Sequence, residues 1–204
     1  MRSLLAFSRS IDALSRLVGK VVAWVILIVV VVSATNAVSR KVFDMSSNAW
    51  LELQWYLFGT IFLLAAGYTL LNNEHVRVDV LATKFSERTQ IKIEIFGVLF
   101  FLLPVSCLVL WMGIPMFIDS FVSGEMSSNS GGLIRWPVKL LVPVGFTLLI
   151  LAALSHLIKC IGFLKGACPN PTVKLNAKTA EELLAEEIAQ QAAVEAEENT
   201  KKGS

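Results

Sequence analysis

The chain has 204 residues, of which 55% are hydrophobic and 17% charged, and its mean hydropathy is +0.66. A soluble domain carries roughly 45–50% apolar and about 25% charged residues, so this balance excludes an ordinary water-soluble fold. The formal net charge of +2 says little as a total, and no nucleic-acid partner is expected.

The first twenty residues, MRSLLAFSRSIDALSRLVGK, are amphipathic. Leu4, Phe7, Ile11, Leu14 and Val18 recur at spacings of three and four, the signature of one helical face. Arg2, Arg9 and Arg16 recur every seven residues on another face. A basic amphipathic helix beside a span is expected to lie in the inner interface with its apolar face down. The plainer alternative is a helical extension of the first span. That span reads VVAWVILIVVVVSATNAV, about Val21 to Val38. Its VSA end imitates a signal-peptide cleavage site, but the basic region before it is longer than a signal needs, so the segment is expected to be retained.

A short loop, SRKVFDMSSN, leads to a second apolar block at about Ala49 to Leu71. The third starts near Ile93 and carries Pro104 and Pro115. Each proline removes a helical donor and clashes one turn back. A bend near Pro115 is therefore expected. The loop DSFVSGEMSSNSGGLIRWPVK follows, and its NSGG is turn chemistry because glycine accepts positive φ at no cost. Trp136 and Pro137 open the fourth block, about Val138 to Ile158; tryptophan favours the headgroup level and proline the first helical turn. Each block is long enough to cross a hydrocarbon core, which takes about 20 helical residues. In lipid, backbone groups must be paired within the segment, so the β-branched residues do not oppose helix.

After the fourth block, ACPNPTVKLN reads as a linker and TAEELLAEEIAQQAAVEAEEN as an acidic, weakly amphipathic helix with Thr179 and Glu182 spaced as a capping box. The terminal KKGS is left out of the fold argument. The expected organisation is thus residues 1–20 as an interfacial helix, 21–165 as a four-helix transmembrane domain, and 166–204 as a cytoplasmic linker and acidic tail. The fold class is all-α integral membrane protein. Lysines and arginines gather before the first span (Arg2, Arg9, Arg16, Lys20), between spans two and three (Arg77, Lys84, Arg88, Lys92), and after span four (Lys159, Lys165). The other side holds only Arg40, Lys41, Arg135 and Lys139. The positive-inside rule then puts both termini in the cytoplasm.

The candidates for chemistry are few. NNEHVRVDVL, Asn72 to Leu81, brings His75, Arg77 and Asp79 together after the second span. Two ligands do not make a catalytic zinc site, which needs three, so a solvated or headgroup-facing segment is the simpler reading. A haem- or quinone-binding membrane anchor would hold its group between facing spans, and the only histidines, His75 and His156, both lie at span ends. The three cysteines, Cys107, Cys160 and Cys168, form no CxxC pair and imply no disulfide framework. Polar stripes at the outer ends of the first two spans comprise Ser33, Asn36 and Arg40, and Glu52, Gln54 and Tyr56. Ionisable residues within a span face protein and have a partner. Arg40 is the local partner expected for Glu52, with contact to another subunit as the alternative. Glu125, Arg135 and Trp136 in the second outer loop complete the candidate structural or partner-interface set. No phosphate loop, nucleophile motif or zinc pattern is present, so no catalytic residue, metal or cofactor is expected.

Two blocks, LELQWYLFGTIFLLAAGYTLLNNEHVRVDVL and SGEMSSNSGGLIRWPVKLLVPVGFTLLIL, resemble the small membrane subunit of tripartite ATP-independent periplasmic (TRAP) transporters, the DctQ family. The resemblance covers about Val21 to Lys165. It implies a scaffold rather than an enzyme, set in the bacterial inner membrane. Its partners would be a large elevator-type membrane subunit, which carries the sodium and substrate sites, and a periplasmic binding protein that delivers an organic anion.

Overall fold

The computed structural model describes residues 2–44, 47–72 and 85–171. His75, Arg77, Asp79 and the acidic tail lie outside the described residues. Among the described residues five α-helices follow one another: α1 (Arg2–Val42), α2 (Asn48–Leu71), α3 (Glu87–Gly97), α4 (Leu103–Val122) and α5 (Trp136–Leu164). A π-helical segment, Val98–Leu102, joins α3 to α4 without a break. Among the described residues four continuous helical stretches are long and apolar enough to cross a membrane: Ser3–Val42, Asn48–Leu71, Glu87–Val122 and Trp136–Leu164. Among the described residues there is no strand, only an isolated bridge between Met126 and Ile134.

The helix ends follow local chemistry. Arg40 and Lys41 occupy the last turn of α1, where cations complement the unpaired carbonyls. Ser86 precedes α3 and its hydroxyl meets that of Thr89 at 2.9 Å. Pro137 stands in the first turn of α5, where the missing N–H costs no helical bond. The wide turn lies beside Pro104 rather than Pro115. The Leu103 N–H bonds the Val98 carbonyl five residues back. This widening occurs where the proline ring would crowd the carbonyl one turn earlier. Pro115 is carried inside a continuous α4.

Arg2–Val42 form one helix, with no break between the amphipathic stretch and the span. Its buried residues are Ser8, Ile11, Ser15, Val22, Val29 and Asn36, while Leu4, Phe7, Leu14 and Leu17 are exposed. The amphipathic face thus points away from the protein, apart from Ile11.

α5 is the hub, packing against α1, α2, α3 and α4. A third of its most apolar window is buried, against 11% in each other span, which makes it the central helix. Small side chains permit this. Gly145 lies so close to α2 that a Cβ there would sit 2.8 Å from the Leu63 carbonyl oxygen, and one at Gly67 would sit 3.1 Å from the Leu148 oxygen. Where lipid is as apolar as leucine, helices associate through such close packing. Leu70, Val98, Ala152, Ala153 and Leu157 form the apolar core. Large apolar side chains such as Trp24, Phe62 and Trp111 face outward. Serines and charged groups are buried instead, an arrangement suited to a lipid surround.

Candidate functional site

Glu52 stands in the second turn of α2 and is 2% exposed. A carboxylate placed there needs donors, because burying it unpaired is costly. All of them come from the loop between α4 and α5. Oε1 accepts hydrogen bonds from Ser127 Oγ and, at 2.9 Å, from Asn129 Nδ2. Oε2 accepts the Leu133 backbone N–H at 2.6 Å.

The loop is shaped for this. The Ser127 N–H bonds the Leu133 carbonyl at 3.0 Å and the Arg135 N–H bonds the Glu125 carbonyl at 2.9 Å, making a hairpin. Gly131 has φ +71°, which supplies the left-handed turn expected of NSGG. Gly132 serves through its small size: a Cβ there would collide with the Ser127 side chain and lie 2.9 Å from Glu52 Oε1. Two further bonds fasten the loop to α2. Tyr56 donates its hydroxyl to the Ile134 carbonyl at 3.1 Å, and Asn48 Nδ2 donates to the Ser130 carbonyl at 2.9 Å.

Arg40 is exposed at the end of α1, and Glu52 takes its partners from the second outer loop instead. The physical reason is convergence: one hairpin offers three donors to the two carboxylate oxygens. Asn36 is buried and Gln54 half-buried. Glu125 forms an ion pair with Lys139 on α5, and that ammonium holds its carboxyl below the usual carboxylate range. Arg135 lies close enough to add positive charge to Glu125, and its buried Nε has no hydrogen-bond partner among the described residues. Trp136 meets Phe121 edge-to-face with centroids 5.4 Å apart, closing the loop base against α4.

A second polar cluster occupies the opposite end of the bundle. The Ser8 and Ser155 hydroxyls lie 2.7 Å apart, and Ser155 Oγ donates to Asp12 at 2.8 Å. Asp12 also pairs with Lys159 at 2.6 Å. His156 is 1% exposed, and its Nε2 is 3.2 Å from Glu94 Oε1 on α3. These contacts tie α1 and α3 to α5. Among the described residues, no group of three or more His, Cys, Asp or Glu is placed to hold a metal ion.

Glu52 in the first cluster and Ser8, Asp12 and Ser155 in the second are all engaged in hydrogen bonds. Their chemistry is attachment: each fixes one element to α2 or α5. The sequence reading singled out Glu52, Tyr56 and Glu125 but missed Ser127, Asn129, Leu133, Ser8, Asp12 and Ser155. Those partners lie 75 to 147 positions apart along the chain, a separation that no local pattern encodes.

A family model described as tripartite ATP-independent periplasmic transporters, DctQ component, matches residues 28–162. The chain belongs to the DctQ family. No curated protein and no solved structure matches it. The DctQ match takes in the outer end of the first span from Ile28, all of the second and third, all but the last two residues of the fourth, and the whole Glu52 hairpin. Ser8 and Asp12 precede it. The family is a transporter component and not an enzyme family.

Proposed function

We propose that this DctQ protein is the scaffold subunit of a TRAP-type secondary transporter. It packs against a large elevator-type membrane subunit, which performs sodium-driven uptake of an organic anion delivered by a periplasmic binding protein. The family match over residues 28–162 carries this reading. The geometry supports it: among the described residues, Glu52 holds one loop, and Ser8, Asp12, Ser155 and His156 hold helices together.

The expected result of purification and reconstitution is that this chain alone gives no solute flux in liposomes. Coexpression with the large subunit should yield a stable complex, and sodium-dependent uptake should require that subunit and a binding protein. Flux from this chain alone would overturn the reading. So would a haem absorbance lost on His156 replacement, the signature of a redox anchor.

The proposed location is the bacterial inner membrane with both termini cytoplasmic, so the Glu52 hairpin faces the periplasm. In a background lacking Cys107, Cys160 and Cys168, cysteines at the exposed positions Ser47 and Ser128 should react with an impermeant thiol reagent added from outside. A cysteine at Ser86, also exposed, should not. The reverse pattern would invert the orientation.

A further inference from the structure

The N-terminal part of α1 is inside out relative to a helix in water. Ser8, Asp12 and Ser15 turn toward the protein or its edge, with Ser8 fully buried and Ser15 nearly so. Phe7, Leu14 and Leu17 are 41–60% exposed. Arg9, Arg16 and Lys20 are exposed as well. Their spacings of seven and four residues place them on one stripe of the helix, and the i,i+4 pair Arg16 and Lys20 can converge on one anion. Arg9 Nε reaches the Leu5 carbonyl of its own helix at 3.4 Å. Among the described residues no carboxylate pairs with any of the three.

The one acidic residue in α1 is Asp12. It is drawn inward onto Lys159 and Ser155, which removes the negative charge that would otherwise lie between Arg9 and Arg16. Among the described residues, the outer surface of this segment therefore carries three cations without a carboxylate partner, and the exposed Leu17 and Trp24 flank them. At 1.5 Å per residue the 41-residue helix is about 60 Å long, twice the roughly 30 Å hydrocarbon core. A large part of α1 must therefore lie at or beyond the headgroups.

We propose that Arg16 and Lys20, with Arg9 adding positive charge from two turns away on the same stripe, form a binding site for the headgroup phosphate of an anionic phospholipid, with the acyl chains lying along the exposed Leu17 and Trp24 toward the span. Apolar exposure beside unopposed positive charge selects this ligand over a zwitterionic lipid or a soluble anion. The site depends on the chain's being a membrane protein and not on its role in transport.

The test uses the full chain in detergent micelles, titrated with fluorescent phosphatidylglycerol or phosphatidylcholine at low salt. Wild type should prefer phosphatidylglycerol by about tenfold or more. R9Q/R16Q/K20Q should abolish the preference at unchanged Tm, R9K/R16K should keep it, and R40Q/K41Q, at the other end of α1, should leave it intact. Wild type without a preference, or a triple variant that keeps it, would overturn the site. A preference moved equally by R40Q/K41Q would show mere net charge. A preference that emerges only on deleting residues 172–204 would assign the stripe to the acidic tail instead.

Discussion

Replacing Glu52 with alanine should release the hairpin between α4 and α5 and lower the Tm of the purified protein by roughly 5 °C or more. The direction follows from the count of donors. Ser127 Oγ, Asn129 Nδ2 and the Leu133 N–H all end on this carboxylate, and its removal strands them together. Glutamine is no remedy. Both carboxylate oxygens accept, so an amide must turn its NH2 toward a donor on one side. Gly132→Val should reproduce the defect from the opposite direction, because its side chain would occupy the space between Ser127 and Glu52. Limited trypsin digestion reports the loop itself, since Arg135 should become cleavable in each variant. R40Q should change neither readout. If R40Q matched E52Q, and a double-mutant cycle coupled the two, Arg40 would regain the role of partner.

The spans were legible because hydropathy and length act locally. Blocks of about 20 apolar residues have few structural options in lipid, and the four helices fall where the blocks do. The positive-φ turn at Gly131 was legible for the same reason. Two features were less legible. The irregular turn belongs to Val98–Leu102, beside Pro104, because a proline's effect reaches back one turn. The amphipathic pattern in residues 1–20 named the apolar face but did not reveal what the opposite side packs against. In water an apolar face is read as buried in protein or pressed on a membrane; here the protein takes the serines and Asp12, and the apolar side is left outward.

The charged pairs were hardest to read. Glu52 was identifiable as a residue needing a partner, because an ionisable group near a span end demands one. Which partner was a matter of tertiary geometry. Arg40 is near in sequence, whereas Ser127 is 75 positions away. The same holds for His156 and Glu94, 62 positions apart, and for Ser8 and Ser155. In this fold polar groups hold distant elements together, while the apolar pattern that sequence reveals mostly faces lipid. That inversion explains why the architecture was legible and its fastenings were not.

Gly145→Ala should prove damaging although alanine is the better helix former. Propensity alone predicts that Gly→Ala inside a helix stabilises by about 1 kcal/mol. At Gly145 the added methyl would sit 2.8 Å from the Leu63 oxygen and 2.9 Å from the Leu63 Cβ. The opposing atoms include α2 backbone, so no side-chain rotation relieves the clash. α2 and α5 must separate, at a cost of about 1–3 kcal/mol for overpacking, and valine should be worse. Gly97→Ala is the internal control: a Cβ there meets nothing within 4 Å, so Tm should hold or rise. Thermal unfolding of the three variants in one detergent decides the matter. If Gly145→Ala matched wild type, the close approach of α2 to α5 would be wrong. A drop at Gly145 without one at Gly97 would place the stability of this bundle in backbone-to-helix contact, where a single methyl outweighs the propensity it brings.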